Sequence, residues 1–147
     1  PDMALFLFTK SMLNDKPIKV FNKGIMSRDF TYIDDIIESM VRLINKPPKP
    51  NSKFDKNNPN PATSWCPYII FNIGNSNPAS LMTYIEAIEE ATNKKAIKIF
   101  LPMQPGDVQK TEANTSSLEE WIDFKPNTPI TKGINKFVRW YKNYYEK

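Results

Sequence analysis

The sequence predicts an α/β fold, and two observations carry that expectation. Short β-rich stretches alternate along the chain with segments whose apolar residues recur at helical spacing. One stretch, residues 68–73 (YIIFNI), is an unbroken apolar run of the type found in parallel strands covered on both faces. A third observation limits the expectation: only three short strands can be placed, so the strand at 68–73 lacks neighbours of its own.

The elements follow in order. Residues 4–14 (ALFLFTKSMLN) read as a helix with Leu5, Phe8 and Met12 on one stripe, widened by Phe6 and Leu13. Lys16-Pro17 ends it. Residues 18–21 (IKVF) alternate like a short strand before an Asn22-Lys23-Gly24 turn. The clearest helix follows, with Ile33, Ile36, Ile37, Met40, Val41 and Ile44 at helical spacing, Thr31 as its cap, and Asp34 and Asp35 in its first turn, where the helix dipole favours carboxylates. Adjacent helical residues do not converge on one point, so this pair reads as dipole complement rather than a catalytic or metal dyad.

Residues 47–67 hold six of the 13 prolines among Asn, Lys, Ser and Asp, and read as a long insert loop. After the strand at 68–73, Ser80 caps a helix with Leu81, Ile85, Ile88 and Ala91 on its stripe, and Asn93 stands where a left-handed residue would end it. A third strand at 97–101 leads into residues 102–107 (PMQPGD). A short helical turn at 116–121 precedes a terminal helix opening near Thr131. Its Ile134, Phe137, Val138, Tyr141 and Tyr145 share one face, with Lys132, Lys136, Arg139, Lys142 and Lys147 off it. That periodicity favours a docked amphipathic helix over a nucleic-acid surface.

Composition excludes more than it includes. The chain has 147 residues, a net charge of +4, no His and one Cys. Without His there is no imidazole base and no Ser/His or Cys/His nucleophile pair. Cys66 alone makes neither an internal disulfide nor a thiolate zinc site, so no metal site is expected. The four glycines lie more than 25 positions apart, which rules out a G-x-G-x-x-G turn and a P-loop. The lysines are spread over the whole length, so no nucleic-acid partner is expected. No stretch is long and apolar enough for a membrane span, and the expected location is cytoplasmic.

Several stretches carry a family resemblance: residues 1–6 (PDMALF), 17–22 (PIKVFN), 28–36 (RDFTYIDDI), 71–75 (FNIGN) and 101–108 (LPMQPGDV). Together they resemble the C-terminal half of the extended short-chain dehydrogenase/reductase nucleotide-sugar epimerases, the UDP-glucuronate 4-epimerases in particular. The resemblance implies that residues 1–147 are a single UDP-sugar-binding region lacking the N-terminal Rossmann sheet. It implies NAD in the parent enzyme, bound by the half not represented here, with no cofactor-binding or catalytic residue in this chain. The family's Tyr-x-x-x-Lys pair has no counterpart, because the residues four after Tyr32, Tyr68, Tyr84 and Tyr141 are Ile36, Asn72, Ile88 and Tyr145. The expected function is the UDP-sugar-binding part of a UDP-glucuronate 4-epimerase, inactive alone; the alternative is a self-association or interaction module.

The same resemblance implies site roles. Arg28 matches the arginine that meets the pyrophosphate; its alternative is an ion pair with Asp29 or Asp107. Asp107 matches the carboxylate that accepts the ribose hydroxyls, and would also suit a simple turn aspartate. Val20 and Phe21 match the segment that packs on uracil, although an alternating strand needs them for core as well. Gln104 stands where many relatives place a phosphate-binding Arg. Further departures are Gln109 for Pro, Asn114 for Asp and Asn93 for Gly. A family arginine that helps read the glucuronate carboxylate would precede Pro1, so uronate selectivity is expected to be weakened. Finally, the family packs the helix at 33–46 and the strand at 69–73 on its Rossmann half, so their apolar faces are expected to need a substitute, such as self-association.

Overall fold

A computed structural model describes residues 3–145; Pro1, Asp2, Glu146 and Lys147, and with them the first two residues of the PDMALF match and the basic Lys147, lie outside the described residues. The chain divides into two compact units, Pro1–Phe30 with Asn77–Glu112 and Thr128–Lys147, and Thr31–Ser76 with Ala113–Asn127.

The first unit is built on a parallel pair, β1 (Ile18–Val20) and β4 (Lys98–Phe100), in the register Ile18 to Lys98 and Val20 to Phe100. Ile18 and Val20 point into the core and Lys19 out, the alternation that a half-buried strand requires. Helices α1 (Ala4–Leu13) and α5 (Ile130–Tyr145) both pack on α3 (Leu81–Thr92). Met12, Val20, Ile85, Ile88, Ile134 and Val138 form the centre of this core. Sequence signals set the ends of α3: the Ser80 hydroxyl accepts from Thr83 N at 2.9 Å, and Asn93 closes the helix in the left-handed region at φ 56°. The terminal helix docks as its periodicity indicates, burying Ile134, Val138 and Tyr141 while Lys132 and Arg139 stay outside. Phe6 of α1 meets Phe137 and Tyr141 edge-on, at 6.1 and 5.1 Å between ring centroids.

A second, antiparallel pair joins β2 (Ser27–Arg28) to β3 (Ala79–Ser80). On the other side of β2, Ser27 N donates to Gln109 O at 2.9 Å and Thr111 N donates to Ser27 O at 3.2 Å. Neither pairing has a sequence signal, because two-residue strands are set by the chain around them and not by local patterning.

The second unit holds α2 (Ile33–Ile44) and α4 (Ser116–Ile122). Arg42 of α2 ties them together: Nη1 donates to Asp123 O at 3.0 Å beyond the C-terminus of α4, and the guanidinium lies 4.7 Å from the centre of the Phe124 ring. Trp121 Nε1 donates to Lys46 O at 2.9 Å. Residues 47–67 contain no helix and no strand ladder; successive side chains fold the loop locally, with Asn51, Asp55 and Asn60 each accepting from the amide two residues on.

Two expectations are corrected here, for residues 68–73 and for Thr31. Residues 68–73 form no strand beyond an isolated bridge from Ile69 to Thr63, and Tyr68 and Ile70 are exposed. An apolar run with strand propensity needs a partner ladder to become a strand, and this unit supplies none. Thr31 does not cap α2; Tyr32 holds the cap position, with no side-chain capping bond. The apolar stripe of α2 also faces outward: Ile33, Ile37, Met40, Val41 and Ile44 are exposed, while Asp35 and Ser39 are buried. The unit packs on the polar side of this helix, where Ser39 Oγ donates to Asp35 O at 2.8 Å.

Candidate functional site

The residues the sequence singles out for ligand contact all fall in the first unit. The loop after β4 is shaped by residues 104–107, a turn in which Asp107 N donates to Gln104 O at 3.2 Å, Pro105 occupies the second position and Gly106 the third at φ +82°. Proline pre-sets the second position of a type II turn and the third requires positive φ, so Gln-Pro-Gly-Asp specifies this geometry locally. The turn delivers the Asp107 carboxylate to Arg28 on β2.

Arg28 Nη2 donates to Asp107 Oδ1 at 2.7 Å, which is the ion pair given above as the alternative for Arg28. Nη1 donates to Ser27 O at 2.9 Å and Gln109 O at 3.3 Å. Two backbone carbonyls and one carboxylate therefore fix the guanidinium in a half-buried setting, its side chain 27% exposed and that of Asp107 32%. Asp107 Oδ1 also accepts from Val108 N at 2.8 Å, and Oδ2 accepts no hydrogen bond from the described residues. Asp29 is engaged elsewhere, with Oδ1 accepting from Asn77 N at 3.4 Å and its amide donating to Thr111 Oγ1 at 3.4 Å.

Val20 is placed differently from Phe21. The Val20 side chain is fully buried in the core and its carbonyl accepts from Leu101 N at 2.9 Å, so it holds β4 in place and presents no side chain to a ligand. Phe21 is half-buried and opens a 3-10 turn, Phe21–Gly24, whose Asn22, Lys23 and Gly24 all have positive φ. Next to this turn a cavity of about 440 Å³ is lined by Lys23, Phe100, Leu101 and Pro102. Gln104 is exposed and contributes its carbonyl to the turn that carries Asp107. The structure thus brings Arg28 and Asp107 together, while Gln104 takes part only through the carbonyl that closes the turn. The carbonyls of Ser27 and Gln109 complete the arrangement around Arg28; sequence reading misses them because a backbone acceptor carries no residue-type signal.

Among the described residues no group of three or more Cys, Asp or Glu side chains is arranged to hold a metal ion, and no helix is long and apolar enough to cross a membrane. The groups brought together on this ledge are one guanidinium and one carboxylate, paired and half-buried.

The chain is similar to several known proteins. The family model for the NAD dependent epimerase/dehydratase family matches residues 1–57. Protein CapI of Staphylococcus aureus is 52% identical over 147 residues, which is 100% of this chain and 44% of CapI. A probable UDP-glucuronate 4-epimerase of Rhizobium meliloti is 42% identical over 151 residues, again 100% of this chain and 43% of the relative. The crystal structure of UDP-glucuronic acid 4-epimerase from Bacillus cereus, in complex with UDP-glucuronic acid and NAD, superposes with a TM-score of 0.79 at 31% identity, covering 99% of this chain and 41% of that one. The chain spans less than half the length of these relatives. The resemblance read from the motifs holds over essentially the whole chain, which is related to the NAD-dependent nucleotide-sugar epimerases, the UDP-glucuronate 4-epimerases among them.

Proposed function

We propose that this chain is the part of a UDP-glucuronate 4-epimerase that holds the UDP-sugar. Arg28 takes the diphosphate, Asp107 accepts the ribose hydroxyls, and uracil packs in the neighbourhood of Phe21. Gln104 lines the approach as an uncharged donor where many relatives carry a cation. The observation that carries this reading is the likeness, over 99% of this chain, to the Bacillus cereus UDP-glucuronic acid 4-epimerase in complex with UDP-glucuronic acid and NAD; the ion pair of Arg28 with Asp107, 79 residues apart in sequence and 2.7 Å apart in space, is a partner that a bound diphosphate would have to displace. An always-charged planar fork beside a carboxylate suits a ligand that presents both phosphate oxygens and a diol, and each charge-assisted hydrogen bond contributes about 1.5–3 kcal/mol.

Epimerisation at C4 also needs a hydride acceptor and a proton-transfer group. The four glycines are too far apart for a dinucleotide turn and no Tyr-x-x-x-Lys spacing occurs, so the residues present do not fit NAD, and in this reading NAD belongs to the rest of the enzyme. The task of this chain is then to anchor the nucleotide firmly while leaving the sugar free to turn, so that binding at a remote handle positions the reacting carbon.

Calorimetry tests the reading directly. UDP should give a measurable heat with this chain, and Arg28→Ala should abolish it while leaving the melting transition in place. Absence of heat with the unaltered chain, or an unchanged heat in the variant, overturns the assignment. With UDP-glucuronate and added NAD, this polypeptide alone should produce no UDP-galacturonate.

A further inference from the structure

We propose that the outward face of α5 is a peripheral docking surface for a negatively charged lipid surface, with its basic residues on the headgroups and its exposed aromatic rings at the boundary of the acyl chains. The proposal is independent of the nucleotide reading, since it uses none of the residues around Arg28.

Charge is the first observation. Lysines occur along the whole chain, but the excess of charge does not: α5 carries Lys132, Lys136, Arg139 and Lys142 and no acidic residue, so with 20 basic and 16 acidic residues in all, the entire net charge of +4 falls on this one helix. These four cations line a cavity of about 590 Å³ beside Ala91 of α3, together with the amides of Asn135 and Asn143 and with no acidic side chain. Among the described residues Lys132, Arg139 and Lys142 form no ion pair. Spacings of three and four residues set these like charges beside one another, an arrangement that costs helix stability and is relieved by anions laid across it.

The second observation is where the aromatic surface lies. One row at intervals of four residues runs Lys132, Lys136, Trp140, Tyr144, on the side of the helix away from the buried Ile134, Val138 and Tyr141. Trp140 is 48% exposed and Tyr144 61%. Basic and aromatic residues therefore share one surface. Trp and Tyr rings are favoured at the depth of lipid headgroups, and long basic side chains lay their stems on apolar surface while holding the charge in the polar layer. A helix built in this way lies in the plane of the interface and needs no membrane span.

The same residue types also suit single-stranded nucleic acid, whose bases stack on free rings. Here the rings are taken up with each other: Trp140 and Tyr144 stack with centroids 5.6 Å apart and 21° between planes, and Tyr145 meets them edge-on at 6.3 and 4.8 Å. A base must break this cluster in order to stack, whereas a lipid surface takes it as it stands.

Vesicle sedimentation tests the proposal on the full chain. Vesicles of mixed phosphatidylcholine and phosphatidylglycerol should bind it at least about tenfold better than phosphatidylcholine alone, with a blue shift of tryptophan emission, and binding should fall as salt rises. Lys132→Gln, Arg139→Gln and Lys142→Gln together should weaken binding about tenfold or more, since each basic residue near such a surface is worth about fivefold. Removing three charges elsewhere, by Lys49→Gln, Lys53→Gln and Lys56→Gln in the insert loop, should leave binding within about twofold, because those side chains lie off the docking face. Trp140→Ala with Tyr144→Ala should keep the salt dependence but lose the blue shift and about threefold or more in affinity. None of the substituted side chains is buried, so melts should show every variant folded; the comparison of lipids and the salt dependence need no variant at all. No preference for the charged vesicles overturns the proposal, as do equal losses in the two triple variants, which mean a general charge effect, and binding untouched by removal of Trp140 and Tyr144. Displacement of the chain from charged vesicles by a single-stranded oligonucleotide at equal phosphate concentration overturns it too, and assigns the face to nucleic acid.

Discussion

Glu89 sits near the C-terminus of α3 with its side chain only 5% exposed. Lys98 Nζ donates to Oε1 at 2.5 Å, Lys95 Nζ to Oε2 at 2.8 Å and Ala96 N to Oε1 at 3.1 Å. This one carboxylate therefore pins the turn between α3 and β4. Burial by itself would raise its pKa, but the hydrogen bonds from Lys95, Lys98 and Ala96 outweigh it and hold the value at about 2, against an ordinary 4.5. A depressed folded-state pKa contributes stability that is complete above the unfolded value and is lost as pH falls from about 4.5 towards 2. Glu89→Gln should lower stability near pH 7 by about 1–3 kcal/mol, since the buried site loses its charge-assisted bonds. Urea midpoints of the two proteins should converge as pH drops through that window. A gap independent of pH would mean that packing, not charge, is what the glutamate supplies.

At the level of elements, the turn between β1 and β2 shows what local sequence can specify. Asn22, Lys23 and Gly24 take φ of 49°, 52° and 81° in succession, and an added Cβ on Gly24 would lie 2.9 Å from the Met82 sulfur. Gly24→Ala meets both the left-handed penalty and a side chain that must move, and should cost about 1–2 kcal/mol in a denaturation experiment. An unchanged midpoint would show that Met82 yields freely and the turn relaxes. The same logic explains which elements are legible in the sequence. Helix α3 is written by Ser80, its apolar stripe and Asn93, and the turn at residues 104–107 by Pro105 and Gly106; each signal acts within a few residues of itself. Residues 68–73 failed as a strand because a ladder needs a second segment, and β2 and β3 escaped notice because a long-range pairing creates them. The candidate site divides along the same line. Arg28 and Asp107 could be named from their motifs, but their 2.7 Å meeting and the carbonyls of Ser27 and Gln109 behind it exist only once distant segments are brought together.

For the whole molecule, the most consequential feature is the outward face of α2. Its apolar residues recur with the regularity of a core stripe, yet Ile37 is 50% exposed, Val41 48% and Ile44 76%. The helix belongs to a unit that packs on its opposite side, where Asp35 and Ser39 are buried and Arg42 reaches Asp123 O. An amphipathic pattern records where a helix is meant to be covered, and a contiguous apolar face left open on a folded chain marks an interaction surface. If the stripe is open to solvent, polar substitutions on it leave folding in place. Ile37→Glu combined with Val41→Lys places a favourable pair at i and i+4 and replaces two β-branched residues with better helix formers. The double variant should melt within about 0.5 kcal/mol per site of the unaltered chain, because neither side chain is buried. Binding of a dye that reports exposed apolar surface should fall, as should any concentration-dependent self-association seen by sedimentation. A drop of many degrees in the melting midpoint would instead show that the stripe is already covered in solution, by a second copy or by the chain itself, and that these residues are core.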